Sequence, residues 1–187
     1  MKKALSVFLS VLMLVTSISV VFSLPASAET NLFTDGDFES LDTGYNVIPD
    51  EPETITTGTY KSTANDAGWV KSAGFATATV SEEQAHGGTK SLKNSFTYQT
   101  FGRVMDVEPN TNYIFSFYYY VPDGNDGLGY VAVNGLDESY DGTITFTNGM
   151  YVNETVNRLA YTAIGANTVK DNWTKVTLLF ESALNEK

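Results

Sequence analysis

Hydrophobic and polar residues alternate along most of the chain after residue 30, with no sustained helical stripe of 3.6-residue period. Tyr, Phe, Thr and Val are frequent in the alternating segments, and Gly and Asn recur between them. Short β-prone runs separated by turn residues are typical of antiparallel sandwiches and barrels. The pattern predicts strands at 33–39, 68–71, 75–80, 90–98, 102–107, 112–121, 129–134, 143–147, 159–164 and 173–181.

The segment 112–121 has the clearest alternation. One face of the predicted strand carries Tyr113, Phe115, Phe117 and Tyr119, and the other carries Ile114, Ser116, Tyr118 and Tyr120. One set must fill the core, and a purely solvated face would not need the two tyrosines of the other set. Tyr118 and Tyr120 are therefore either ligand-binding residues or residues covered by the long, weakly patterned segment 41–66.

The N-terminus has the pattern of an export signal. Lys2 and Lys3 precede an apolar run, and Ala26-Ser27-Ala28 matches the small-residue site of signal peptidase. We expect residues 1–28 to be a signal peptide of bacterial type and the secreted or cell-surface-associated chain to be a single domain over 29–187. The alternative is an uncleaved membrane anchor, although the Ser and Thr residues within the apolar run weaken it.

Charge and composition exclude several function classes. The chain has 22 acidic and 11 basic residues, a net charge of −11, which argues against nucleic-acid and anionic-membrane partners. It has no cysteine, so neither disulfides nor thiolate metal sites stabilise it. The sequence lacks a Gly-x-Ser-x-Gly nucleophile elbow, a phosphate loop and a zinc motif. We therefore expect a domain without catalytic activity of its own.

Four segments, taken in order, are similar to a known family. They are Asn31-Leu32-Phe33 leading to Gly36-Asp37-Phe38-Glu39, then His86-Gly87-Gly88-Thr89-Lys90-Ser91-Leu92, then 107–117, and finally 173–180. Together they resemble the carbohydrate-binding modules of the family 4/9/22 type that accompany secreted polysaccharide hydrolases. The resemblance covers roughly residues 31–180 and implies an all-β, galactose-binding-like jelly-roll sandwich. It also implies non-catalytic binding of a neutral polysaccharide of the β-glucan, cellulose or xylan class.

Sugar-binding surfaces stack aromatic rings on the apolar faces of pyranose rings, while amides and carboxylates bind the hydroxyl groups. By this chemistry and the resemblance, the predicted ligand-binding residues are Trp69, Tyr118, Tyr120, Asn134 and Tyr140. Asn134-Gly135 is also a strong turn signal, and a tryptophan at a strand start is often a core residue. Trp173, in contrast, resembles the family's core tryptophan, and we expect it to be structural.

The resemblance further implies a structural Ca²⁺ ion, a cation that prefers oxygen ligands. Asp37 and Glu39 would contribute side chains, and Gly88 or Lys90 would contribute backbone carbonyls. The family usually has one more strand, with an aspartate ligand, that is not matched before Lys187. Either the sequence is truncated or the last strand is supplied by something else, and without that strand the expected sandwich has an unpaired edge.

Two alternatives remain open. The chain could be the N-terminal accessory part of a larger glycoside hydrolase whose catalytic domain lies beyond Lys187. It could also be a cell-surface adhesion or assembly domain that binds a protein, because one fold hosts many functions.

Overall fold

The structure, a computed structural model, describes residues 30–72, 77–95, 100–125, 129–136, 140–147, 150–151, 156–165 and 168–183. The predicted signal peptide, residues 1–28, lies outside the described residues. Thr30–Thr34 belong to one compact unit, and all of the described strands belong to a second unit that begins at Asp35.

The described residues form strands and turns, and no helix is found among them. The predicted all-β class is therefore confirmed for this part of the chain. The strands are β1 (Glu53–Thr56), β2 (Thr59–Thr63), β3 (Trp69–Lys71), β4 (Thr77–Ser81), β5 (Ser91–Ser95), β6 (Phe101–Arg103), β7 (Asn112–Tyr120), β8 (Gly129–Leu136), β9 (Thr143–Thr147), β10 (Met150–Tyr151), β11 (Val156–Ile164) and β12 (Trp173–Glu181).

All of the strand pairs are antiparallel. One sheet has the order β1-β2-β9-β10, and the other ladders join β3 to β6, β4 to β5, β7 to β12 and β8 to β11. β7 and β12 pair over their whole lengths, from Asn112 opposite Glu181 to Tyr120 opposite Trp173. Most of these pairings join strands that are far apart in sequence, which is why the sheet order could not be read from the local pattern.

Two predictions about the N-terminal half are wrong. The segment 41–66 contains the β1–β2 hairpin, although no strand was predicted there because its pattern is weak. The run of β-branched residues around Thr54 and Thr59 favours strands, and Gly58, at φ 82°, permits the tight turn between them. Residues 33–39 form turns instead of the predicted strand: the Phe38 N–H donates to the Asp35 carbonyl at 3.1 Å, and Phe38 has a φ of 59°.

A small hydrophobic cluster lies between the β1–β2–β9–β10 sheet and its neighbours. Val70 of β3, Leu136 of β8, Ile144 of β9 and Phe146 of β9 are buried together. The side chain of Phe146 is fully enclosed, and the partly buried Ala64, Val104 and Tyr140 pack against the cluster. Burial of these side chains removes apolar surface from water, the main favourable contribution to folding in a chain without disulfides.

The predicted alternation along β7 is confirmed. Tyr113, Phe115, Phe117 and Tyr119 are partly buried, while Ile114, Ser116 and Tyr118 are exposed. On the inner face, Tyr113 stacks on Phe180 of β12 with ring centroids 5.5 Å apart, and Leu178 of β12 is buried. The outer face of the β7–β12 ladder is therefore the side that solvent and ligands can reach.

Candidate functional site

The outer face of the β7–β12 ladder ends in a group of aromatic side chains. Tyr120 lies directly opposite Trp173, and Tyr118 lies directly opposite Lys175. Residues that face each other across antiparallel strands project from the same side of the sheet, so these four side chains share one surface. Tyr118 is 42% exposed. The ring centroids of Tyr120 and Trp173 are 5.5 Å apart at an angle of 51°.

His86 completes this group from the turn region that follows β4. Its imidazole stacks on Tyr118 with centroids 3.4 Å apart and an interplanar angle of 13°. The same imidazole meets Trp173 edge-on at 5.7 Å. We call His86, Tyr118, Tyr120 and Trp173 the aromatic platform. It joins two strands to a turn that lies 26 residues before the start of β7, so only the folded chain brings its members together.

Polar groups lie beside the aromatic platform. The Tyr120 hydroxyl donates to Oδ1 of Asp171 at 3.0 Å, and the backbone N–H of Asp123 donates to the same oxygen at 3.0 Å. The hydrogen bond to this carboxylate, followed by desolvation and the negative charge of Asp171, raises the pKa of Tyr120. Lys175 Nζ lies 5.8 Å from the ring centroid of Tyr118, within cation–π range. A carboxylate and an ammonium thus lie near the exposed rings.

The other predicted ligand-binding residues lie elsewhere. Trp69 is only 7% exposed and stacks on Phe101, so it contributes to packing and presents no open ring face. Tyr140 packs against the hydrophobic cluster, and its burial is the main cause that raises the pKa of its hydroxyl. Asn134 lies within β8 opposite Arg158 of β11. Of the predicted residues, the structure brings together Tyr118 and Tyr120.

The sequence interpretation missed His86 and Trp173 as members of the site. A signal for Trp173 was present, because alternation along 173–181 places Trp173, Lys175 and Thr177 on one face. A face with a lysine and a threonine is the one that water reaches. For His86 no local signal existed, since the sequence pattern does not show which strand a turn residue contacts.

Some of the residues predicted to bind Ca²⁺ lie close together, but their carboxylates accept hydrogen bonds from the protein. Both oxygens of the Glu39 carboxylate accept hydrogen bonds from Thr89 and Lys90. Asp37 Oδ1 accepts the backbone N–H of Glu39 at 3.3 Å. Among the described residues, no three His, Asp or Glu side chains are grouped so that they could hold a metal ion. These contacts do not fit a Ca²⁺ site, and calcium stays a prediction from the resemblance.

A shallow depression of about 560 Å³ lies along β4 and β5. Glu82, Glu83 and Lys93 are among its lining residues, and Lys93 pairs with Glu83 at 2.6 Å. None of the lining residues is aromatic. Without a ring on which a sugar could stack, this depression is a weaker candidate for a saccharide than the aromatic platform.

Comparison with known proteins gave no match among protein-family models, curated proteins or solved structures. Within the described residues, no helix has the length and apolar character needed to cross a membrane. Since a fold alone does not determine function, the residues and geometry of the site are the basis for a functional assignment.

Proposed function

We propose that this protein binds a neutral polysaccharide of the β-glucan, cellulose or xylan class on the aromatic platform, without catalytic activity of its own. The observation that carries the proposal is the exposed Tyr118, grouped with His86, Tyr120 and Trp173 on one open sheet face. Aromatic side chains combine apolar faces with polar edges, which suits the apolar C–H faces and hydroxyl groups of a pyranose.

The surroundings of the platform support a saccharide ligand. Asp171 accepts a hydrogen bond from the Tyr120 hydroxyl, and its carboxylate lies at the edge where sugar hydroxyls would be bound. Lys175 supplies a hydrogen-bond donor next to Tyr118. Because His86 covers one face of Tyr118, we expect the ligand to contact the remaining exposed ring surfaces. The net charge of −11 favours a neutral polymer over a polyanion.

The resemblance described above supports a broader proposal. In it, the chain is an exported carbohydrate-binding module with a galactose-binding-like jelly roll, and residues 1–28 are its signal peptide. The antiparallel all-β character of the described residues agrees with such a fold. The function of the module would be to hold an attached enzyme or cell close to its polysaccharide, which raises the effective concentration of substrate.

Affinity electrophoresis tests the proposal directly. The purified protein is run through native gels that contain xylan, β-glucan, mannan or soluble cellulose. We expect retardation in one of these gels and a loss of at least about tenfold in affinity for Tyr118→Ala, as for a residue at the centre of a binding site. Tyr130→Ala is the matched control, since Tyr130 is 80% exposed but lies on β8, outside the aromatic platform.

The outcomes separate the candidate sites. If Tyr130→Ala loses affinity and Tyr118→Ala keeps it, the saccharide site lies on β8 instead of the platform. If the folded wild-type protein migrates freely in every gel, the proposal of polysaccharide binding is wrong.

One observation favours a protein partner as the second candidate function. Ile114 of β7 and Leu179 of β12 face each other on the outer face and are 63% and 71% exposed. An exposed apolar pair on a sheet suits a protein interface better than a sugar, and it supports the alternative of an adhesion or assembly domain. Ile114→Ser would then abolish partner binding, while Tyr118→Ala would affect it less.

A further inference from the structure

The N-terminal turn segment and the turn region before β5 are joined through Glu39. Oε1 of Glu39 accepts the backbone N–H groups of Thr89 at 2.7 Å and Lys90 at 2.8 Å. Oε2 accepts the Thr89 hydroxyl at 2.8 Å. Consecutive backbone N–H groups that converge on one oxygen form an anion-binding nest, and here its anion is a side chain of the same protein.

A second set of hydrogen bonds is donated by the Lys90 side chain to the N-terminal turn segment. The ammonium of Lys90 donates to the backbone carbonyl of Leu41 at 2.6 Å and to that of Glu39 at 3.2 Å. Backbone carbonyls are also among the oxygen ligands that Ca²⁺ takes from a protein. The positive charge that meets these two carbonyls is therefore supplied by the chain.

Gly88 is the residue that allows this close approach. Its φ is +70°, a backbone conformation that residues other than glycine adopt rarely. A Cβ atom at this position would lie 2.3 Å from Oε1 of Glu39. The positive φ therefore favours glycine here, and a larger side chain would displace the Glu39 carboxylate from its present position.

We infer that the Glu39 carboxylate, predicted as a Ca²⁺ ligand, is instead bound by Thr89 and Lys90, and that the Lys90 ammonium supplies the positive charge beside it, so that the segment 35–42 is held to residues 88–90 without a metal. We call Glu39, Leu41, Thr89 and Lys90 the Lys90 clasp. Each charged group of the clasp bonds to polar groups of the other segment, and such charge-assisted bonds are stronger than neutral ones. The inference concerns stability and is independent of the proposed saccharide site.

Thermal unfolding with and without Ca²⁺ tests the first half of the inference. The wild-type protein is melted in millimolar CaCl₂ and in excess chelator, and its Ca²⁺ binding is measured by titration calorimetry. We expect the same Tm in both solutions and no binding heat. A Tm that rises with CaCl₂ and falls with chelator would overturn the inference, because a ligand that binds only the folded state stabilises it.

Substitution of Lys90 tests the second half. Lys90→Met keeps most of the aliphatic stem and removes the ammonium, and we expect its Tm to fall on the order of 3–6 °C. Lys93→Met is the matched control, since the Lys93–Glu83 pair is an exposed ion pair that should contribute little. Equal Tm values for Lys90→Met and the wild type would show that the clasp does not hold the segment. If Lys90→Met does not fold, Glu39→Gln provides the same comparison.

Discussion

The two tryptophans of the chain lie in opposite surroundings. Trp69 begins β3, is buried, and stacks on Phe101 of β6 with centroids 5.7 Å apart. Trp173 begins β12 and is partly exposed, with His86 and Tyr120 beside it. From the sequence, Trp69 was predicted to bind a ligand, with a core position as the alternative, and Trp173 was predicted to be structural.

The difference lies in the strands and not in the residue type. All three residues of β3 are buried, so both of its faces are covered. β12 alternates between exposed and less exposed residues, so one of its faces is open. A tryptophan at a strand start therefore becomes a core residue or a surface residue according to what packs on that strand.

The largest expected effect is on the free energy of unfolding, when each of the two tryptophans is replaced by alanine in turn. Trp69→Ala should lower the free energy of unfolding by about 3–5 kcal/mol, the usual cost of deleting a buried aromatic ring. Trp173→Ala should cost about 1–2 kcal/mol and should reduce polysaccharide retention. Urea unfolding and affinity electrophoresis on both variants give the two quantities. The reverse order of stability losses would contradict the assignment of Trp69 to the core.

Some of this arrangement could be predicted from one sequence. The alternation from Tyr113 to Tyr120 directly gives the two faces of β7, because side chains along a strand point to opposite sides. Thr143–Thr147 and Trp173–Glu181 were predicted with the bounds that the structure has. Such features depend on residues that are close in sequence.

Other features depend on partners that are distant in sequence. The pairing of Trp173 with Tyr120 and the stacking of His86 on Tyr118 follow from strand register and from the course of a turn. The threonines of the β1–β2 hairpin favour strands, but the weak hydrophobic pattern of this segment does not show that β2 pairs with the distant strand β9. Local propensity cannot supply this information.

A smaller effect concerns the acid stability of the Lys90 clasp. The backbone N–H of Thr89, followed by the Thr89 hydroxyl and the Lys90 N–H, lowers the pKa of Glu39 below its ordinary value of 4.5. The folded state thus holds this carboxylate ionised. Its contribution to stability is present above the ordinary pKa and is lost as the pH falls through the lower pKa of the folded state.

Thermal unfolding between neutral pH and about pH 3 checks this linkage. The difference in Tm between the wild type and Glu39→Gln should be largest at neutral pH and should shrink as the solution is acidified. Thr89→Ala removes the hydroxyl donor but keeps both backbone donors, so its profile should lie between the two. A Tm difference that stays constant over this range would mean that Glu39 is not held as a carboxylate by these bonds.

The smallest expected effect concerns the pKa of Tyr120 and tests whether Asp171 orients the Tyr120 hydroxyl on the platform. Because Tyr120 donates to Asp171, its pKa lies above the ordinary value of 10.0. The stabilising effect of this bond is present below that ordinary value and is lost as the pH rises through the higher pKa of the folded state. Asp171→Asn keeps an acceptor oxygen but removes the charge, and Asn tolerates the φ of 51° at this position.

Ultraviolet difference titration of the tyrosines measures the ionisation of Tyr120, and Tyr120→Phe identifies its signal. In Asp171→Asn we expect this signal to move to lower pH, with little change in Tm because the bond is exposed. An unmoved signal would show that the hydroxyl does not bind this carboxylate in solution. Asp171 would then not orient the Tyr120 hydroxyl, and the ring contacts of His86 with Tyr118 and Trp173 would be the preorganised part of the platform, in contrast to the ring of Trp69 in the core.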